Sequence, residues 1–332
     1  MYMPVFVVGF FVFWRQRARG KEMNYNYFET KFKSNDGKST VFCEIYTPKT
    51  VTARGVVQLS HGMMDYISRY EGLADYLTAE GYIVAGNHHL GHGKSAASDD
   101  DLGFFANDGG VDILLSDLHT MNKYLRSTFP ALPVFLLGHS MGSFLSRLYA
   151  VKYPHSVSGV IIHGTAGPNK LLPIGKMLAA GKRMTRGARY RSKTINSLVF
   201  SGYNSHFDKS EGEWAWLTRE TALVSGRSED KYTSFTFTLA GFMDLFDMIG
   251  ECNSREWFSE YPKDMPTLIV SGDADPVGAY GKGPSFVYKH LLMEKCSRVR
   301  LKLYEGARHE LFNETNRDEV FSDLVRWMCE VK

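Results

Sequence analysis

The stretch "PVFLLGHSMGSFLSRLYAVKY", residues 133–153, carries the reading of the fold. An apolar run of strand length ends at Gly138, and a helical pattern begins directly after Ser140. A chain that passes from strand to helix in so few residues goes through a cramped, often strained turn. Gly138 and Gly142, two positions either side of Ser140, remove the β-carbons that would collide there. With His139 and Met141 they form the pentapeptide Gly-His-Ser-Met-Gly. The spacing predicts a Ser140 hydroxyl lifted clear of a sheet and held at a helix N-terminus, where free N–H groups favour a developing anion.

Working outward, short apolar runs alternate with helical stretches. "TVFCEIYTP" (40–48) reads as an early antiparallel strand. "GVVQLSHG" (55–62), "GYIVAGNHH" (81–89), "GVIIHGT" (159–165), "PTLIVSGDAD" (266–275) and "RVRLKLYEGARH" (298–309) follow. Most are too short for helices and too uniformly apolar for one-sided strands, which suits central strands covered on both faces. Helical spacing lies between them, at 70–80, 111–129, 144–153 and 316–330. The alternation predicts an α/β fold, a mostly parallel sheet with helices on both faces and right-handed crossovers. It breaks between about Pro168 and Pro262 and then resumes. A helical insertion at 168–262 in one core, 23–167 plus 263–332, explains this better than a second independent domain.

A serine hydroxyl needs a base and an orienting acid before it is a useful nucleophile. In an open α/β sheet, functional groups gather beyond the carboxyl ends of the strands. Asp275 and His309 both occupy such positions, and the order Ser140, Asp275, His309 is that of an α/β-hydrolase. Asp273 competes for the acid's place. The loop after "VVQLS" supplies a second oxyanion donor, because Gly62 permits a close backbone approach and the Met63 N–H can point at a substrate oxygen. Its partner is the N–H of Met141.

Other features narrow the function. Lys and Arg exceed Asp and Glu by only three, so no global charge points to nucleic acid. Cys43, Cys252, Cys296 and Cys329 are scattered, with no CxxC pair, and read as packed free thiols. His88, His89 and His92 lie among glycines without a completing carboxylate or cysteine pattern and read as a structural turn; no metal is expected. Residues 1–22 hold an apolar run shorter than the ~20 residues of a spanning helix, followed by a basic cluster. They read either as a short anchor or as the product of an upstream start codon, with the domain beginning at Met23.

"SHGMMDYISRYEGLADYL", "HHLGHGKS", "PVFLLGHSMGS", "SGDAD" and "EGARHEL" together resemble the monoacylglycerol lipase/lysophospholipase group of α/β-hydrolases, in order, from about Tyr27 to Met328. The resemblance implies a helical cap inserted after the sixth strand. It also implies Ser140 as nucleophile, Asp275 as acid, His309 as base, and oxyanion amides at Met63 and Met141. No cofactor is implied. Two places depart from the group. Its Asp-His-Arg-Gly-His-Gly is here His88-His89-Leu90-Gly91-His92-Gly93, which alters a buried ion pair under the site. Its "GEHSGR" loop becomes Met64-Asp65-Tyr66-Ile67-Ser68-Arg69, which puts selectivity for glycerol in question.

Within the insertion, residues 170–193 contain eight Lys or Arg and no acid. Ile174, Met177, Leu178 and Met184 can share one helical face, although Gly175 and Gly181 weaken the helix. Such a segment can contact a membrane surface, as can the N-terminus, or it can be a solvated face of the cap. Trp214, Trp216, Phe235, Phe237, Phe242 and Phe246 can line an acyl pocket or pack the cap on the sheet. These features lead to an expected serine hydrolase of lipophilic esters, cytoplasmic, with peripheral contact or anchoring at a membrane as an option. The alternatives are a peptidase of the proline-iminopeptidase kind, a short-chain esterase, and a catalytically silent binding module.

Overall fold

The computed structural model describes residues 11–14 and 23–331. Nine strands form one sheet: β1 (Phe11–Trp14), β2 (Tyr25–Lys33), β3 (Thr40–Pro48), β4 (Gly55–Ser60), β5 (Tyr82–Asn87), β6 (Val134–His139), β7 (Gly159–His163), β8 (Thr267–Gly272) and β9 (Val299–Tyr304). Their order is β1-β2-β3-β5-β4-β6-β7-β8-β9. β1, β2 and β3 run antiparallel to their neighbours, and every pair from β5 to β9 is parallel. Every residue of β4 to β8 is buried, as the uniformly apolar runs predict, because helices cover both faces. One face packs against helices Gly110–Thr128, Met141–Lys152 and Lys282–Met293, and the other against Glu71–Ala79 and Arg317–Glu330.

The order places the site. From β4 the chain crosses to β5 on one side, while β6 lies on the other. The loops that leave β4 and β6 therefore diverge, and a crevice opens between their carboxyl ends. The Gly62–Tyr66 loop and Ser140 flank it.

Two elements escaped the sequence reading. β2 carries Lys, Glu and Asn among its aromatics and is only part-buried, so it lacks the apolar run of the central strands. Helix Lys282–Met293 opens on Gly281 at φ +80° and holds Gly283 and Pro284 in its first turn. Glycine and proline interrupt a helical pattern in sequence, yet proline is tolerated in a first turn because the N–H it lacks has no intrahelical partner there. β1 is a third difference. Four of the residues set aside with the N-terminus pair with Phe28–Lys31 at the sheet edge. The cap therefore leaves after the sixth strand counted from Tyr25 and after the seventh in the full sheet. The rest of the anchor-or-start-codon reading falls outside the described residues. Among those described, no helix is long and apolar enough to cross a membrane.

Between β7 and β8 the chain forms only helices and turns. Helix Leu172–Arg186 runs through both Gly175 and Gly181. Gly175 and Ala179 face inward, and a β-carbon at Gly175 would meet the Phe246 ring at 3.5 Å. The small residues thus let this helix lie close against helix Leu239–Cys252, and the larger apolar side chains turn outward.

Asp244, on helix Leu239–Cys252, packs the cap against the core at the start of helix Gly110–Thr128, where a β-carbon at Gly110 would lie 2.2 Å from its Oδ2. Burial, then the nearby Asp247 carboxylate, pushes its carboxyl up to about 7. A carboxyl raised in the folded state keeps its proton there while the unfolded chain has released it. Stability therefore falls as pH rises from about 4 to about 7, by an amount on the order of 2–4 kcal/mol. Asp244→Asn keeps an accepting oxygen and removes the charge. It is expected to raise the melting temperature at pH 8, with the gain vanishing near pH 4, as read by thermal melts across that range.

Candidate active site

Ser140 has φ +54° and ψ −119°, a strained conformation for a residue with a β-carbon. Its N–H donates to the His163 carbonyl at 3.0 Å, which holds the turn to β7. The flanking glycines are required by space. A β-carbon at Gly138 would lie 2.1 Å from the Gly142 carbonyl oxygen, and one at Gly142 would lie 1.9 Å from the Ser60 carbonyl oxygen. Gly62 approaches so closely that a β-carbon there would meet the Ser140 β-carbon at 3.1 Å. Met141 is the first residue of helix Met141–Lys152, so its N–H has no intrahelical partner.

The two distant residues arrive together. His309 Nδ1 and Asp275 Oδ2 are 2.9 Å apart, with side chains 2% and 0% exposed. Asp275 Oδ1 accepts the Val277 N–H at 2.8 Å, which fixes the carboxylate plane. Since the carboxylate only accepts, His309 carries its proton on Nδ1 and leaves Nε2 as an acceptor. Asp273 is exposed and accepts the Gly306 N–H at 2.7 Å, so it holds a turn and does not reach His309.

Ser140, His309, Met63 and Met141 all line one cavity of about 700 Å³. Leu172, Leu198, Phe200, Leu245, Phe246 and Ile249 give it a long apolar wall, and Asp65, Arg227 and Glu310 its polar end. The cap aromatics divide. Trp216 and Phe246 face the cavity, while Phe235, Phe237 and Phe242 pack on one another and on His92.

A buried charge network underlies the polar end. Arg69 bridges Asp65 at 2.8 Å and Glu310 at 2.9 Å, and Arg227 approaches Glu310 at 3.3 Å. Burial alone would raise Glu310, but the two guanidiniums outweigh it and hold its carboxyl down at about 2. Tyr70 donates to Asp65 at 2.7 Å, so His139 Nδ1, 2.9 Å from the Tyr70 oxygen, must be the donor there. Burial keeps His139 below the usual imidazole range and therefore neutral beside Ser140. Of this network the sequence marked Asp65, Arg69 and, within the elbow, His139. Glu310 and Tyr70 sit inside recognisable motifs, but nothing around Arg227 signals its place.

The histidines after β5 have local partners. His88 contacts Glu44 at 3.1 Å, His89 contacts Ser60 at 3.0 Å, and His92 donates to the Leu90 carbonyl at 3.0 Å. Burial pushes His89 down to about 3 and His92 to about 4. Burial of Glu44 is outweighed by its contacts with His88, Ser68 and Tyr46, which hold its carboxyl at about 2. Cys43, Cys252 and Cys296 are buried thiols.

Residues 51–316 match the family described as serine aminopeptidase, S33 (Hydrolase_4). A monoglyceride lipase of Rattus norvegicus is 32% identical over 303 residues, covering 87% of this chain and 86% of that protein. A monoacylglycerol lipase of Mycolicibacterium smegmatis is 26% identical over 305 residues, covering 90% and 96%. Among solved structures, a thermostable carboxyl esterase from Bacillus coagulans in complex with glycerol superposes with a TM-score of 0.85 at 28% identity, covering 92% of this chain and 98% of that one.

Proposed function

We propose that this chain, which belongs to the serine aminopeptidase S33 (Hydrolase_4) family, hydrolyses carboxylic esters of lipophilic acyl chains, with monoacylglycerols and lysophospholipids the foremost substrates. The observation that carries the reading is one cavity holding Ser140 and the Asp275-oriented His309 at the foot of a long apolar wall. The Ser140 oxygen attacks the ester carbonyl as His309 Nε2 takes its proton. The Met63 and Met141 amides receive the oxyanion. His309 then returns the proton to the leaving alcohol, and water, activated by the same nitrogen, cleaves the acyl-enzyme. Asp275 holds the imidazole in its working tautomer and stabilises its cation.

A peptidase would need an anionic anchor for a free amino terminus. Asp65 and Glu310, the carboxylates at the cavity, are both ion-paired with arginine, and Glu211 contacts Arg308 at 2.7 Å. This favours esters over aminoacyl arylamides. Ile174, Met177, Leu178 and Met184 are 50%, 68%, 44% and 89% exposed on the lysine-bearing cap helix, which supports contact between the cap and a lipid surface.

The test is a hydrolysis panel. Dodecanoyl and longer monoacylglycerols should exceed short-chain esters by ~10-fold or more in kcat/KM, since each methylene buried is worth about 0.8 kcal/mol. Proline arylamides should remain unhydrolysed. Turnover of the arylamides alone would reject the ester reading.

A further inference from the structure

Two segments distant in sequence meet beside Ser140, the loop Gly62–Tyr66 that follows β4 and the cap turn Arg227–Asp230. The Arg227 side chain is buried. Its Nη2 donates to the Met64 carbonyl at 3.0 Å and its Nη1 reaches Glu310 at 3.3 Å. The guanidinium lies 5.0 Å from the Trp214 ring, whose Nε1 donates to Ser228 at 2.8 Å. A second tie runs from the Tyr66 hydroxyl to Asp230 at 2.8 Å.

Met64 itself is unusual, with φ +51° and a buried side chain. A residue with a β-carbon stays in the left-handed region only where its surroundings over-determine it. Here the cap supplies that determination, because the carbonyl of this residue is the one that Arg227 grips. The Met63 N–H belongs to the peptide two links upstream of the Met64 carbonyl, inside the same Gly62–Tyr66 turn, so a displacement of that carbonyl reaches it through the turn as a whole. The charge balance argues against a ligand-binding role for Arg227. Asp65 and Glu310 match Arg69 and Arg227 one for one, so Arg227 is already engaged, and the other cations lining the cavity are Lys170 and Lys282.

We propose that Arg227 is a positioning residue through which the seated cap holds the oxyanion loop in its working shape. The inference rests on the Ser140 reading above and deepens it. The cap then does more than enclose substrate. When the segment around Arg227 lifts, the Met64 carbonyl loses its donor and the hole loses its shape. Acyl transfer is thereby confined to the closed cavity.

The test uses the full chain with a long-chain monoacylglycerol, comparing Arg227→Met, Arg227→Lys and Ser140→Ala with the unaltered protein. Arg227→Met keeps side-chain length and removes the donors. It should lower kcat by ~10–100-fold with KM within about threefold, because a misaimed oxyanion donor is felt in the transition state. Arg227→Lys retains one donor and should recover most of that loss, which a purely packing role would not produce. Should Arg227→Met fail to fold, Tyr66→Phe removes the other tie and should lower kcat roughly fivefold with KM unchanged. An active Ser140→Ala overturns this proposal together with the site reading. An inactive Ser140→Ala beside an Arg227→Met of unchanged kcat, or one altered only in KM, overturns this proposal alone.

Discussion

Ser140→Ala is expected to lower kcat on a lipophilic ester by roughly 10⁵–10⁶-fold, with the melting temperature and substrate affinity nearly unchanged. Alanine keeps the β-carbon already accommodated at φ +54°, so the turn has no reason to rearrange. What disappears is the oxygen that forms the acyl bond in the proposed mechanism. Asp275→Asn should cost about 10⁴-fold by a different route. Its Oδ1 would still accept the Val277 N–H, which turns the new amide N–H₂ toward His309 Nδ1. The imidazole must then present a lone pair to that amide and carry its proton on Nε2, the wrong nitrogen for a base. Asp273→Asn, which touches only the Gly306 turn, should leave kcat within about twofold and so separates the two candidate acids. Steady-state kinetics and covalent labelling with a fluorophosphonate read all three variants. A Ser140→Ala protein that still turns over ester would place the nucleophile elsewhere.

The legible parts of this molecule are those in which local constraint and long-range role coincide. Gly138 and Gly142 announce the elbow because no other residue fits within 2.1 and 1.9 Å of backbone oxygens. The central strands announce themselves because burial on both faces leaves no room for alternation. Asp275 and His309 stand at strand ends, where the topology of an open sheet gathers functional groups. The fold class and the family resemblance both follow from these features, and the family match bears the resemblance out. β2 was missed for the opposite reason, since a part-buried strand near the sheet edge tolerates charge. Equally hidden is the inward face of the cap helix Leu172–Arg186, since the lipid-surface and solvated readings both turn Met177 and Met184 outward, as they are. A helical wheel shows that apolar residues share a face, but which face turns inward depends on how closely Gly175 lets the partner helix approach. Arg227 lies furthest from any sequence signal. Its partners are Met64 and Glu310, separated from it by 163 and 83 residues, and nothing local distinguishes it from a surface arginine.

Gly142→Ala is expected to have the second largest effect, and to act through the fold as well as the chemistry. The new methyl group would sit 1.9 Å from the Ser60 oxygen and 2.7 Å from the His61 oxygen, both backbone atoms at the end of β4. No side chain can swing away to relieve the clash, so β4 and the helix that begins at Met141 must move apart. Their separation would open the crevice at the point where β4 and β6 diverge, drawing Gly62 and the Met63 amide away from Ser140. Overpacking of this kind costs about 1–3 kcal/mol where neighbours can yield, and rigid backbone on both sides puts this case at the upper end or above. A shift of ~1 Å at the oxyanion loop would by itself cost on the order of 100-fold in rate. The variant should therefore combine a melting temperature lowered by several degrees with a kcat loss of at least about 100-fold. Gly72→Ala makes the informative contrast. It places the same methyl on helix Glu71–Ala79 with no atom within 4 Å, and alanine favours a helix interior, so stability should rise slightly with kcat unchanged. Circular dichroism melts paired with ester kinetics would read both, and a Gly142→Ala enzyme with full activity would show that the elbow does not set the approach of the two strand ends.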